Sequence, residues 1–93
     1  MIQETSLQAY YQEIAPRLGQ KQMKVFEALV FGGPMTNSEI SDYLKIQINT
    51  TTPRTFELRA LGLVVEKERR PCKITGRSAI VWSVNRVTQP TLI

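Results

Sequence analysis

The hydrophobic period of this chain changes at Gly62, and that change limits what the chain can fold into. Upstream, apolar residues recur every three or four positions: Leu7, Tyr10, Tyr11, Ile14 and Leu18, then Met23, Phe26 and Val30, with Val25 and Leu29 beside them. Stripes of this kind let a helix bury one face. Downstream, Ala79 to Val84 alternate, with Ile80, Trp82 and Val84 on one face and Ala79 and Val81 on the other. That is strand spacing. Helices followed by a strand pair predict an α+β domain in which a small sheet closes over a helical core.

Capping signals divide the helical part. Thr5 or Ser6 can cap a leading helix reaching Leu18, which Pro16 weakens and Gly19 ends. A second helix covers about Gln20 to Phe31 and stops at Gly32-Gly33-Pro34. Met35, alone between breakers, is expected to be a very short strand or a tether into the core. Thr36-Asn37-Ser38-Glu39 has the form of a capping box and opens a short helix to about Leu44 that should bury Ile40, Tyr43 and Leu44. Lys45-Ile46-Gln47 leaves room only for a tight connection. The next helix is placed over 49–61, with Pro53 near its first turn, where proline is tolerated, and Gly62 as its stop. Leu63 to Arg69 and Ala79 to Val84 then pair as a hairpin around the turn residues Thr75-Gly76-Arg77.

Ninety-three residues suffice for one small domain. It is divided here into a leading helix (1–19) that packs on the core or forms a dimer contact, a main domain (20–86) and a tail (87–93). The first eighteen residues lack a basic head with an apolar run, and no stretch has the eighteen apolar residues of a membrane span. The single cysteine, Cys72, allows no intrachain disulfide. A cytoplasmic protein away from membranes is expected. The sequence has no histidine, no metal-ligand cluster, no glycine-rich phosphate loop and no paired carboxylates in an obvious pocket, so neither an enzyme nor a bound cofactor or metal is expected.

The charge is unevenly placed. Residues 1–47 carry a net −1 and residues 48–93 a net +5, for an overall +4. A basic half beside a near-neutral one is the footprint of a polyanion binder.

The order helix, short strand, helix, tight turn, helix, hairpin resembles the winged helix-turn-helix superfamily. Thr36-Asn37-Ser38-Glu39-Ile40 resembles the opening of its second core helix. Leu58-Arg59-Ala60-Leu61-Gly62-Leu63-Val64 resembles the junction of its recognition helix with the first wing strand. Thr52-Pro53-Arg54 is similar to the same region of small stand-alone winged-helix proteins of phages and mobile elements. The resemblance spans about Gln20 to Asn85. The chain departs from the family pattern at Ser41, where alanine is common, and over Asn49–Thr55, where apolar packing residues are common. The resemblance implies a three-helix core behind a leading helix, with a C-terminal hairpin wing. It also implies a sequence-preferring protein that binds double-stranded DNA as a transcriptional regulator, with helix 49–61 in the major groove.

Projected at 100° per residue, that helix turns Leu58, Leu61 and Thr51 inward, with Thr55 on the edge, and Asn49, Thr52, Pro53, Phe56 and Ala60 outward. Asn49 can cap the helix or pair with adenine. Thr50 and Thr52 can meet bases or stay solvated, and Arg54 can grip guanine or pair with Glu57 or Glu39. Phe56 is expected mainly to pack within the protein, with thymine methyl groups or a dimer contact as its other uses. Asn37 and Ser38, at the start of the second core helix, offer groups to a phosphate. Lys67, Arg69, Arg70, Lys73 and Arg77 form a basic wing for phosphates or the minor groove, although charged edge strands also deter aggregation. A homodimer through the leading helix is expected, and no small-molecule effector. The alternatives are a protein-binding winged-helix module, such as a phage inhibitor of a host protein, and a recombination or replication accessory factor. Cys72, beside the wing cations, is expected to have a somewhat stabilised thiolate without a redox role.

Overall fold

The computed structural model describes residues 11–85. Residues 11–14 are helical and tighten into a 3₁₀ turn, Ala15–Arg17, because Pro16 has no N–H to continue the ladder. The start of the leading helix, with Leu7 and Tyr10, and the tail after Asn85 lie outside the described residues. Three helices follow, α1 (Gln20–Gly32), α2 (Asn37–Leu44) and α3 (Ile48–Ala60), and then two strands, β1 (Val64–Pro71) and β2 (Ser78–Val84).

Each boundary has a local cause. Thr36 accepts from the Glu39 N–H at 3.2 Å while the Glu39 carboxylate accepts from the Thr36 N–H at 3.1 Å, so the expected capping box starts α2. Lys45 ends that helix in the left-handed region (φ 60°), and the Ile46 N–H returns to the Ser41 carbonyl at 3.0 Å. At the end of α3 the Gly62 N–H bonds to Arg59 and the Leu63 N–H to Leu58, each at 2.9 Å. This is a Schellman closure, and φ 79° at Gly62 is why glycine stands there.

The helix over 49–61 differs in detail. It begins at Ile48, and its N-cap is Gln47, whose side chain makes no capping bond, so Asn49 lies inside the first turn and is not the cap. Leu61, projected inward, is 58% exposed. It falls past the last helical residue, and Leu63 takes its place against the core after the reversal. Tyr43 is likewise exposed on α2, while Ile40 is fully buried. Gly32, at the end of α1, has no side chain to collide with Met35 and the Tyr43 ring, which lie where a Cβ would reach.

The core joins Val25, Phe26 and Leu29 of α1 to Ile40 of α2, Leu58 of α3, and Val64, Trp82 and Val84 of the hairpin. Full burial of side chains this size contributes roughly 1.5–3 kcal/mol each. Tyr11 stacks on Phe26 with ring centroids 6.1 Å apart, so the leading helix closes over α1. Met35 forms a one-residue bridge to Trp82, exchanging bonds of 3.1 and 2.8 Å, and supplies the short third strand. The β1–β2 pairing is antiparallel with an irregularity between Glu66 and Glu68 that leaves Lys67 without a partner in the register. Val81, placed by alternation on the face opposite Trp82, is also buried.

Candidate nucleic-acid interface

The candidate surface is built on α3, which packs against α1, α2 and β1. Thr51, Thr55 and Leu58 face inward and are buried, whereas Asn49, Thr52, Pro53, Phe56, Arg59 and Ala60 are exposed. The expected division of the helix therefore holds except at Leu61. Phe56 does not pack within the protein: it is 65% exposed, in the middle of the outer row. At 160° from Leu58 its side chain cannot reach the core, and it leaves a large apolar surface beside Thr52 and Pro53.

The seating of α3 depends on hydroxyl groups. Ser41 Oγ donates to Thr51 Oγ1 at 2.8 Å, and Thr55 Oγ1 donates to Asn37 Oδ1 at 2.8 Å. Two polar bridges thus join α2 to α3 where apolar contacts were expected from the fold. With its carbonyl oxygen engaged, half-buried Asn37 keeps its amide N–H groups for an outside acceptor. Ser38 is half-exposed in the first turn of α2, next to free backbone N–H groups. Thr50 is half-buried on the flank of α3 that faces α1.

Arg54 is engaged within the protein. Its guanidinium meets Glu57 with Nη2 donating to Oε2 at 2.9 Å, while Nε lies 2.9 Å from Oε1 without hydrogen-bond alignment. Glu57 also accepts from the Gln22 amide at 2.8 Å. These two donors, Gln22 first, hold its carboxyl below the ordinary value. Of the uses open to Arg54, the structure shows the pair with Glu57.

The wing is folded down rather than projecting freely. Arg70 donates to both oxygens of Glu39, at 2.7 and 2.8 Å, and the Lys73 N–H donates to the same carboxylate at 2.8 Å. One carboxylate therefore caps α2 and fastens the hairpin over it. Arg70, expected among the free cations, is a structural tie. Beneath the loop, buried Cys72 lies 3.1 Å from Thr36 Oγ1. Burial alone would raise its thiol pKa, but hydrogen bonds from Thr36 and from the Thr75 and Ile74 segment bring it below the ordinary value. Hydrogen-bond donors lead this stabilisation, and Arg70, two residues away, is electrostatically coupled to the thiolate as well. Lys67, Arg69, Lys73 and Arg77 are exposed and form no ion pair among the described residues.

Two further cations emerge only in three dimensions. Lys21 and Lys24 of α1 are exposed, form no ion pair among the described residues, and line a depression with Gln20, Ile46 and Thr50. The sequence carried only a faint sign of this, two lysines three apart beside an apolar stripe. On the other side of the first turn of α3, Ile48 and Ile74 meet Ser38, Ser41, Asp42, Lys45 and Ile46. There Lys45 is 3.6 Å from Asp42, so that side largely neutralises itself.

A three-helix core, a helix-turn-helix between α2 and α3, and an antiparallel hairpin closed by a one-residue strand define the winged-helix fold. Solved structures of two regulators are among those that share it. A MarR family regulator from Neisseria meningitidis superposes with a TM-score of 0.59 at 17% identity, over 91% of this chain and 60% of that one. A transcriptional regulator from Thermotoga maritima superposes with a TM-score of 0.60 at 19% identity, over 95% of this chain and 61% of that one. The chain thus spans about three fifths of the length of these relatives. No protein-family model and no curated protein matches the sequence. No helix among the described residues is long and apolar enough to cross a membrane, and no group of residues among them could hold a metal ion.

Proposed function

We propose that this chain binds double-stranded DNA with sequence preference and acts as a transcriptional regulator. The observation that carries the reading is the outer row of α3. Asn49, Thr52, Pro53 and Phe56 are all exposed, and among the described residues no side-chain bond ties down Asn49 or Phe56. An exposed row of an amide, a hydroxyl and an aromatic ring suits base edges: asparagine pairs with adenine, threonine bonds to a base or meets a thymine methyl, and phenylalanine does the latter. The unpaired wing cations Lys67, Arg69, Lys73 and Arg77 supply phosphate contacts, and Asn37 and Ser38 add neutral donors at the start of α2. The two regulators of similar fold agree with this assignment. The similarity of Thr52-Pro53-Arg54 to phage and mobile-element proteins suggests an origin for the chain. A contact between two copies through the leading helix belongs to the same reading.

The test is fluorescence anisotropy of a mixed-sequence duplex of about 30 base pairs, titrated with protein across a range of salt. Micromolar binding with a log–log slope equivalent to about three to six phosphates supports the reading, and no binding at low salt overturns it. A protein partner is the second reading, favoured by the single observation that Phe56 stands 65% exposed. It predicts a flat salt response on DNA.

A further inference from the structure

We infer that Lys21 and Lys24 of α1, with Thr50 of α3, form a second phosphate-binding surface on the flank of α3 opposite the wing. This inference rests on the DNA-binding reading and extends it to a helix outside the helix-turn-helix. The depression they line has a volume of about 290 Å³, and its walls are Gln20, Lys21, Lys24, Ile46 and Thr50, with no carboxylate among them. Neither ammonium group has an acidic partner within 4.0 Å among the described residues, in contrast to Lys45, Arg54, Arg59 and Arg70, which all do. The cations of this domain therefore sort into those tied to carboxylates and those left for an outside anion. Apart from Arg17, exposed at the end of the 3₁₀ turn, the described members of the second group fall in two places, the wing and this depression.

The placement relative to α3 gives the depression its partner. Thr50 and Arg54 lie on one flank of the helix and line depressions with Lys21, whereas Ile48 lies on the other flank and shares a depression with Ile74 of the wing loop. A helix with its side chains is about 10–12 Å across, and the major groove is about 12 Å wide. A helix seated there has one phosphate strand on each flank. Cations on a single flank would hold only one strand and leave the helix free to roll. Lysines on the α1 flank and arginines and lysines on the wing give each strand its own contacts and fix the rotation of α3 about its axis. A phosphate on this surface would be met by two ammonium groups and the Thr50 hydroxyl, with the Gln20 amide at its edge.

The test compares the full chain with the double variant Lys21→Gln/Lys24→Gln in the same salt titration. Both residues are exposed and unpaired, so the thermal midpoint of the variant should match that of the parent, which separates folding from binding. Each lost contact lowers the magnitude of the log–log slope by roughly 0.9, so the pair should lower it by about 2 while preference between duplexes of different sequence stays the same. A parent that binds with a steep slope, together with a variant of equal slope, overturns this inference and leaves the DNA-binding reading standing. A parent that fails to bind overturns both. Single methylphosphonate substitutions along each strand of a preferred duplex supply the second measurement. The variant should become insensitive at positions on one strand where the parent is weakened, and equal sensitivity of the two proteins everywhere contradicts the assignment.

Discussion

Ser41 and Thr51 meet across the helix-turn-helix through a 2.8 Å hydrogen bond between two buried side chains. Each residue is a departure from the apolar packing usual at such a junction, and the two departures compensate each other. A hydroxyl at one position satisfies the hydroxyl at the other, so neither is left buried without a partner. The Asn37–Thr55 pair repeats the arrangement nearby. The angle at which α3 presents its outer face is therefore set by directional bonds.

That arrangement predicts strong coupling. Ser41→Ala removes the donor to a fully buried oxygen and should cost about 1–3 kcal/mol, whereas Ser41→Ala with Thr51→Val should recover most of the loss. Urea unfolding of the parent, both single variants and the double variant measures the coupling. Additive losses would show that the bond does not seat the helix.

Glu39 gives a pH prediction. Hydrogen bonds from Arg70, followed by those from the Lys73 and Thr36 backbone, lower its pKa from 4.5 to about 2. A carboxyl depressed on folding contributes stability that is complete above its unfolded pKa and is lost as pH falls through the folded one. The stability difference between the parent and Glu39→Gln should be on the order of 1–3 kcal/mol at neutral pH and should close between about pH 4.5 and pH 2. Thermal or urea unfolding of both proteins across that window checks it, and a difference independent of pH contradicts it.

Much of this fold was legible because its signals are local. The Thr36–Glu39 box, the Gly62 stop and the single core residue Met35 each span a few positions, and each behaves as local chemistry dictates. The start of α3 was misread by one residue because Gln47 makes no side-chain cap, while Asn49 looked like a better one. Arg70 was misread for a different reason. Its partner Glu39 is 31 residues away, and no pattern along the chain distinguishes a tied arginine from its free neighbours Arg69 and Arg77. Lys21 and Lys24 were missed because only folding brings α1 alongside Thr50. The outward face of α3 followed from periodicity alone, but the exposure of Phe56 went against the usual tendency of a phenylalanine to be covered.

Phe56→Ala should separate stability from recognition. A side chain this exposed contributes little to folding, so the change in unfolding free energy should stay within about 0.5 kcal/mol. Affinity for a preferred duplex should fall several-fold, more than for a scrambled duplex of equal composition. A large loss of stability would mean that the ring is covered in solution.

On the wing, Lys73→Ala with Arg77→Ala should weaken binding to all duplexes alike and lower the salt slope by up to about 2. Arg70→Ala should instead act mainly through folding, because it frees Glu39 and releases the hairpin from α2. Unfolding and binding curves for the two variants distinguish these effects.

Whether α3 reads bases in the major groove is measured most directly with a preferred duplex in which 7-deazaguanine and 7-deazaadenine replace the purines. This removes the N7 acceptors from the major groove and leaves base pairing, the minor groove and every phosphate intact. Affinity should fall roughly tenfold or more with an unchanged salt slope, since each base contact contributes about 1–3 kcal/mol of discrimination. Equal affinity for the two duplexes would contradict it, and would mean that the outer face of α3 is not reading DNA.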